Sequence, residues 1–416
     1  MKICDIIGIS DSRRQQFPPQ VIDLIRHGSV FSGGKRHHEI MESLLPAGAV
    51  WIDITVPLSQ VFEQYKHHEH IVIFASGDPL FYGFANTVQR ECEGVKMRVF
   101  PSFNSLQMLA HRMCVPYHDM HVVSLTGRDW QKLDEALIHG ESMIGCLTDK
   151  VKTPHAIHQR MTEYGYTNYC MTIGENLGND EKERVSHYSE QAAYEHPNCI
   201  ILQKTHDRVR PFGLPDAEFA LLDGREKMIT KMPIRLLTLQ ALDLPRRHVL
   251  WDIGSCTGSV SIEARLLFPH LQIEAFEIRP ECEAIIEENA RRFGAPGISV
   301  HIGDFLNVQR SSTGEAAKPS ATFNVQCSTF NVQSSPPDAV FIGGHGGRLQ
   351  EIMEHVLTVL TPDGVIVMNS VKAPKVTTDS HRLWDDACRA LGLKQEPPTK
   401  IILNDHHPIE ILKCRR

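Results

Sequence analysis

The chain has 416 residues, 42% of them hydrophobic and 22% charged, with a formal charge of -7 at pH 7. That length exceeds one ordinary domain core and predicts two or three domains of standard globular composition. A net negative chain is a poor general binder of nucleic acid, because a phosphate backbone requires a basic face.

No apolar run reaches the roughly 18 residues of a membrane span, and the start MKICDIIGISDSRRQQ turns polar too early for a signal peptide. A cytoplasmic location is expected, with no membrane partner. The 11 cysteines are odd in number and none stands at C-x-x-C spacing, the pattern of reduced packing thiols. Histidines cluster at His37-His38, at His67-His68 with His70, and at His406-His407. Without cysteine or carboxylate partners at ligand spacing, they read as solvated or core residues, and no metal is expected.

In chain order, apolar runs predict strands near Ile3 to Ile9, Val30 to Ser32, Val50 to Ile54, Ile71 to Ala75 and Met97 to Phe100, separated by segments with helical spacing. A second series follows at His121 to Leu125, Met143 to Leu147, Tyr169 to Ile173, Glu183 to Tyr188 and Cys199 to Leu202. Residues 1–205 therefore read as one domain of two α/β lobes, about 1–110 and 111–205. The stretch THDRVRPFGLP, Thr205 to Pro215, breaks every period with charges, two prolines and a glycine, which makes 206–215 a linker.

From 216 to 416 the rhythm restarts with strands near Val249 to Ile253, Gln272 to Phe276, Ser299 to Ile302, Ala339 to Ile342 and Gly364 to Met368. Strands alternating with helices predict a doubly wound sheet. One segment departs from this order: residues 310–337 are rich in Ser, Thr and Pro and repeat TFNVQ at Thr322 and Thr329. Such composition cannot bury enough to order itself, so it reads as a mobile surface insertion.

The stretch WDIGSCTGSVSIEA, from Trp251, runs from a strand through glycines into a helix start, a cradle for a polar ligand. Gly254 and Gly258 are separated by Ser255, Cys256 and Thr257, which fails the dinucleotide pattern G-x-G-x-x-G. Asp252-x-Gly254-x-x-x-Gly258 fits better with the first loop of a Rossmann-like methyltransferase, whose ligand is S-adenosylmethionine. Glu277, closing the next strand, is placed to hold ribose hydroxyls, and Asp304, after the third, to meet the adenine amino group.

Further strings carry a resemblance. In the second half they are Met228-Ile229-Thr230-Lys231, WDIG, GSVSIEA and Phe341-Ile342-Gly343-Gly344; in the first, Ser76-Gly77-Asp78-Pro79-Leu80-Phe81-Tyr82-Gly83, Pro101-Ser102-Phe103-Asn104-Ser105-Leu106-Gln107, Thr126-Gly127-Arg128 and Gly174-Glu175-Asn176-Leu177-Gly178. Over nearly the whole chain apart from the insertion, the sequence resembles the bifunctional precorrin-6Y C5,15-methyltransferases (decarboxylating) of cobalamin synthesis. The resemblance implies a two-lobed tetrapyrrole methylase fold followed by a Rossmann-like class I methyltransferase domain.

It also implies one S-adenosylmethionine per half. In the first half the cofactor residues would be Gly8, Gly77, Asp78, Pro79, Phe81, Tyr82 and Ser105; in the second, Thr230, Asp252, Gly254, Ser255, Cys256, Thr257, Gly258, Glu277 and Asp304. The substrate would be a carboxylate-rich macrocycle, with Lys231, Arg235, Gly343, Gly344, His345 and Arg348 as its contacts, since charge-assisted pairs suit carboxylates. The implied chemistry is methylation at C15 with loss of carbon dioxide in the second half and methylation at C5 in the first. A homo-oligomer is possible.

Two departures from the family pattern are visible. Cys256 replaces a central glycine, so its side chain crowds the methionine part of the cofactor unless its Cβ points away, and Gly8-Ile9-Ser10-Asp11-Ser12 lacks a second glycine. Three rivals differ in class. A nicotinamide oxidoreductase would want the missing glycine, a tetrapyrrole carrier would lack cofactor loops, and a methylase of another corrinoid, cobalt-containing forms included, would share the donor motifs.

Overall fold

The computed structural model describes residues 1–310, 330–332, 335–371, 380–402 and 409–415. It divides into two compact units, Met1–Ala136 with Gly140–Gln159 and Asn168–Asp207, and Leu137–His139 with Arg160–Thr167 and Arg208–Arg416. Among the described residues no helix is long and apolar enough to cross a membrane.

The first unit opens with five parallel strands, β1 (Ile3–Ile9), β2 (Val30–Gly33), β3 (Val50–Asp53), β4 (His70–Ser76) and β5 (Lys96–Phe100), in the order β3-β2-β4-β1-β5. Helices α1 (Pro19–His27), α2 (Lys35–Met41), α3 (Leu58–Lys66) and α4 (Phe84–Glu91) connect them. β1 and β4 are near-continuous apolar runs because both faces are covered. Side chains alternate across a strand, so Cys4, Ile6, Ile71 and Ile73 enter one core while Ile7, Ile9, Val72 and Phe74 enter the other.

A second sheet has the order β6-β7-β10-β8-β9. Its strands are β6 (His121–Ser124), β7 (Met143–Leu147), β8 (Tyr169–Glu175), β9 (Arg184–His187) and β10 (Asn198–Lys204), with helices α5 (Ser105–Met113), α6 (Gln131–His139) and α7 (Pro154–Glu163) in this part of the chain. Only β6 and β7 pair in parallel; β10 runs antiparallel to both β7 and β8.

The second unit is a doubly wound sheet with parallel strands β11 (Val249–Ile253), β12 (Gln272–Glu277), β13 (Ile298–Ile302), β16 (Ala339–Ile342) and β17 (Val365–Val371), in the order β13-β12-β11-β16-β17. A short parallel pair, β14 (Val308–Arg310) with β15 (Phe330–Val332), stands apart. Helices α8 (Met232–Ala241), α9 (Ser259–Leu267), α10 (Glu281–Phe293), α11 (Leu349–Leu357) and α12 (Ser380–Ala390) accompany the sheet. The sequence reading missed its far edge, where β20 (Ile409–Arg415) runs antiparallel to β17 and carries β18 (Lys394–Gln395) and β19 (Thr399–Ile401). Strands of two or three residues are too short to show a period. Of the stretch 310–337, residues 311–329 and 333–334 fall outside the described residues, and so does its reading as an insertion; His406-His407 lie outside them too.

Arg235 departs from its expected role. It is fully buried, donating from Nε to Glu263 Oε2 at 3.0 Å, and from Nη1 to Asp216 Oδ1 at 3.0 Å and the Thr230 carbonyl at 2.7 Å. Its guanidinium lies 5.0 Å from the Phe219 ring centroid. A side chain so engaged ties segment 214–230 to α8 and α9 and has no face left for a substrate. Glu263 is itself buried and also accepts the Leu214 N–H at 3.0 Å.

Removing one member of a buried ion pair strands the other charge. Arg235→Ala is therefore expected to destabilise the second unit by about 3–5 kcal/mol, read as a lower urea midpoint in the transition that reports Trp251 and Trp384.

Candidate functional site

In the first unit, β1 and β4 run side by side with Gly8 opposite Ala75 and Ile9 opposite Ser76, so the loops leaving both strands meet at one edge. A Cβ on Gly8 would stand 1.9 Å from the Gly77 carbonyl oxygen and 2.7 Å from the Ser102 nitrogen. Only glycine permits that approach. Gly77, at φ +60°, donates its N–H to the Ile9 carbonyl at 2.8 Å and accepts the Ser102 N–H at 3.2 Å.

The chain then turns: the Asp78 carbonyl accepts the Phe81 N–H at 3.0 Å and Asp78 Oδ1 the Leu80 N–H at 2.9 Å, with Pro79 where a type I or II turn favours it. Asn104 and Gln107 exchange hydrogen bonds as a capping box and set Ser105 in the first turn of α5. These elements wall a cavity of about 480 Å³ lined by Gly77, Phe81, Tyr82 and Ser105, and across from them by Thr126, Thr148 and Asn198. Gly8, Asp78 and Pro79 shape the wall from behind without lining it. His37, also on the lining, is pushed down to about 4 by burial and then by Arg36, so it is neutral at pH 7; its Nε2 lies 2.9 Å from Ser76 Oγ.

In the second unit the same device recurs between β11 and β16. A Cβ on Gly254 would stand 2.6 Å from the Gly344 nitrogen, and the Gly343 N–H donates to the Ile253 carbonyl at 2.8 Å. Gly254, Cys256 and Gly258 all have positive φ, which winds the loop tightly into α9. Cys256 is buried and packs in an apolar cluster with Leu222, Cys282 and Ile286, and it is not among the residues lining the neighbouring cavity.

That cavity, about 260 Å³, is lined by Gly254, Glu277, Ile278, Arg279, Asp304, Phe305, Gly344, His345 and Arg348. Glu277 is 2% exposed. It accepts N–H groups from Cys256 at 2.9 Å on Oε2 and from Ile278 at 2.9 Å and Arg279 at 3.1 Å on Oε1. The Arg279 guanidinium forks onto both oxygens, each at 2.9 Å. Burial pushes the Glu277 carboxyl up, and the Arg279 fork with these N–H groups outweighs it, holding the group below the usual range. Cys256, Cys282 and Glu277 bring donor atoms within 4.8 Å of one another. Burial pushes both thiols up, so they stay protonated at pH 7, while the Glu277 carboxylate is ionised and held by Arg279.

Asp304 Oδ2 pairs with Arg348 at 2.9 Å, and Oδ1 accepts the Leu306 N–H at 3.1 Å. His345 Nδ1 accepts the Gly347 N–H at 3.2 Å, which leaves Nε2 to carry the proton of the neutral ring. Burial holds the His345 pKa below its usual value. Asp252 lies behind the loop, with Oδ2 accepting Ser261 Oγ at 2.6 Å. Ser255, Thr257 and Gly258 form the turn without lining the cavity. Thr230 and Lys231 stand off it as well, Lys231 lying 4.0 Å from Asp216. The sequence reading missed Arg279, although its place two residues after Glu277 at a strand end was the available signal, and it missed Phe305, buried against Trp251 and Phe276.

Comparison with known proteins finds a match to the precorrin methyltransferase domain model over residues 223–392. A precorrin-6Y C(5,15)-methyltransferase [decarboxylating] from Sinorhizobium sp is 29% identical over 394 residues, covering 93% of this chain and 88% of the relative. A cobalt-precorrin-6B C(15)-methyltransferase (decarboxylating) from Salmonella typhimurium is 35% identical over 202 residues, which is 47% of this chain and 93% of the relative. A cobalt-precorrin-7 C(5)-methyltransferase from the same organism is 28% identical over 184 residues, 43% of this chain and 87% of the relative.

The buried carboxylate behind the loop generates a pH prediction. Burial, outweighing the Ser261 hydrogen bond, pushes Asp252 up to about 6, whereas it ionises near pH 4 in the unfolded chain. Folding thus loses stability as pH rises from about 4 to 6. Asp252→Asn is expected to match the parent chain at pH 4 and to gain on the order of 3 kcal/mol by pH 7, measured as urea midpoints across that range. At the cavity itself, Glu277→Ala is expected to weaken S-adenosylhomocysteine binding in the second unit at least roughly tenfold, the loss of a charge-assisted contact, measured by calorimetry.

Proposed function

The chain belongs to the precorrin-6Y C5,15-methyltransferase (decarboxylating) family, and we propose that each of its two units holds one S-adenosylmethionine, the first serving C5 and the second C15. It methylates precorrin-6Y at both carbons and removes an acetate carboxyl as carbon dioxide, in cobalamin biosynthesis. The observation that carries the assignment of the second site is Glu277, a buried carboxylate at the end of β12 beside a loop that only glycine at 254 can close. The first site is supported by the Gly8 and Gly77 approach beneath a cavity of about 480 Å³.

S-adenosylmethionine, when bound, supplies a methyl group on a sulfonium that departs as a neutral thioether. The protein's task is then to orient a carbon nucleophile and exclude water. Glu277 would take ribose hydroxyls once the Arg279 fork turns aside, and Asp304 would take the adenine amino group in exchange for Arg348. That exchange frees Arg348 beside neutral His345, two donors for substrate carboxylates, while Gly343 and Gly344 let the macrocycle approach the backbone. Lys231 remains a peripheral contact for the same anionic substrate. Decarboxylation needs the electron pair of the breaking C–C bond to flow into the macrocycle, so the protein contributes chiefly by holding the acetate where the ring system can accept it. The cysteines described are all unpaired, which suits a reducing compartment such as the cytoplasm.

Calorimetric titration of the full chain with S-adenosylhomocysteine is expected to give two equivalents, one of them weakened by Glu277→Ala as above. With precorrin-6Y and donor, mass spectrometry is expected to find a product gaining two methyl groups and losing one carbon dioxide. A single equivalent in the parent chain would overturn the two-site reading.

A further inference from the structure

Beside the cavity of the first unit stands a cation that none of the roles above uses. Arg128 follows Thr126, which lines the cavity, on the loop after β6. Its guanidinium lies 5.0 Å from the centroid of the Tyr82 ring, and Tyr82, from the other lobe, also lines the cavity. Tyr82 sits at φ +53° with 48% of its surface exposed, so its ring is presented at the opening. Phe81 buttresses it edge-on at 5.2 Å.

The loop that carries Arg128 is fixed by backbone hydrogen bonds. Asp149 accepts the Gly127 N–H at 2.9 Å on Oδ2, and on Oδ1 the N–H groups of Val151 and Lys152 at 2.8 and 2.6 Å. Thr126 Oγ1 donates to the Thr148 carbonyl at 3.1 Å. Those backbone donors, Lys152 first, hold the Asp149 carboxyl down at about 2, so it stays ionised and keeps the turn at any physiological pH.

Arg128 differs from its neighbour on the same cavity. Arg36 is already spoken for, its Nε 3.4 Å from Asp11 and its Nη2 donating to Ser76 at 3.0 Å. Among the described residues no carboxylate pairs with Arg128, and the Tyr82 ring holds it through its face. Stacking on an aromatic face leaves the guanidinium's edge donors free. Five N–H groups in a planar fork, pre-positioned and without an acidic partner, match a carboxylate bidentately.

We propose that Arg128, stacked on Tyr82, binds a peripheral carboxylate of the tetrapyrrole at the mouth of the first unit's cavity and sets the macrocycle in register for methyl transfer to C5. The inference rests on the C5 assignment above and adds the group that would select the substrate. Tyr82 acts through Arg128 as a positioning residue. Arg128 takes no part in donor binding, because it is absent from the walls around Gly77 and Ser105.

The test uses the full chain and its Arg128→Ala, Arg128→Lys and Arg128→Glu variants, with C5 methylation of the macrocycle followed at saturating donor. Loss of a charge-assisted pair is expected to raise KM for the macrocycle roughly 10–100-fold with kcat changed far less. Arg128→Lys should recover part of the loss, since it keeps charge without the fork, and Arg128→Glu should exceed Arg128→Ala. Both S-adenosylhomocysteine equivalents should persist in every variant. An unchanged KM in Arg128→Ala overturns the proposal, as does a fall in donor affinity that parallels the rise in KM. If the parent chain itself bound no donor in its first unit, the C5 assignment would fail and this inference with it, a result distinct from an active parent with an indifferent Arg128.

Discussion

Both candidate sites hang on one constraint: two backbones touching at the carboxyl ends of adjacent parallel strands. Gly8 under the Gly77 carbonyl and Gly254 against Gly344 are the same solution in two differently connected sheets. Because any Cβ at these points would collide with main-chain atoms, the loops can close over a ligand space that side chains would fill. The strands beneath explain why the contact holds its place. β1 and β11 are buried on both faces, so neither can slip register without turning an apolar face toward a different core.

Electrostatics add a second regularity in the second unit. The two carboxylates at the strand ends, Glu277 and Asp304, are each met by an arginine from a nearby loop. A buried carboxylate without partners would be costly, and the Arg279 fork meets that cost at Glu277. In the proposed function, ligand binding there is an exchange of partners, in which the net gain is the difference between two sets of hydrogen bonds. Arg235 and Glu263 show the contrasting case, a buried ion pair outside the lining of the cavity described, which fastens the segment before α8.

Most of the architecture could be read from the chain. Near-continuous runs such as ICDIIGI and VLWDI are buried on both faces and announce parallel strands, and β7 and β16 end where the apolar pattern ends. The antiparallel edge β18 to β20 stayed hidden, because its first two strands are too short for periodicity. Glu277 and Asp304 were legible as strand-end acids, and Arg279 could have been read from its place two residues after Glu277; Arg348 as the partner of Asp304 could not, since that pairing depends on how loops from separate strands converge.

The sequence by itself determined the strand rhythm, the glycine positions and the chemistry of the strand ends, because these are local properties of backbone freedom and side-chain pattern. Only the tertiary structure decided which face each of them took. It set Cys256 into an apolar cluster with Leu222, Cys282 and Ile286, buried Arg235 among acids and carbonyls, and stacked Arg128 on Tyr82 across two lobes. Direction and partner are set by packing between segments far apart in sequence, and no spacing along the chain encodes them.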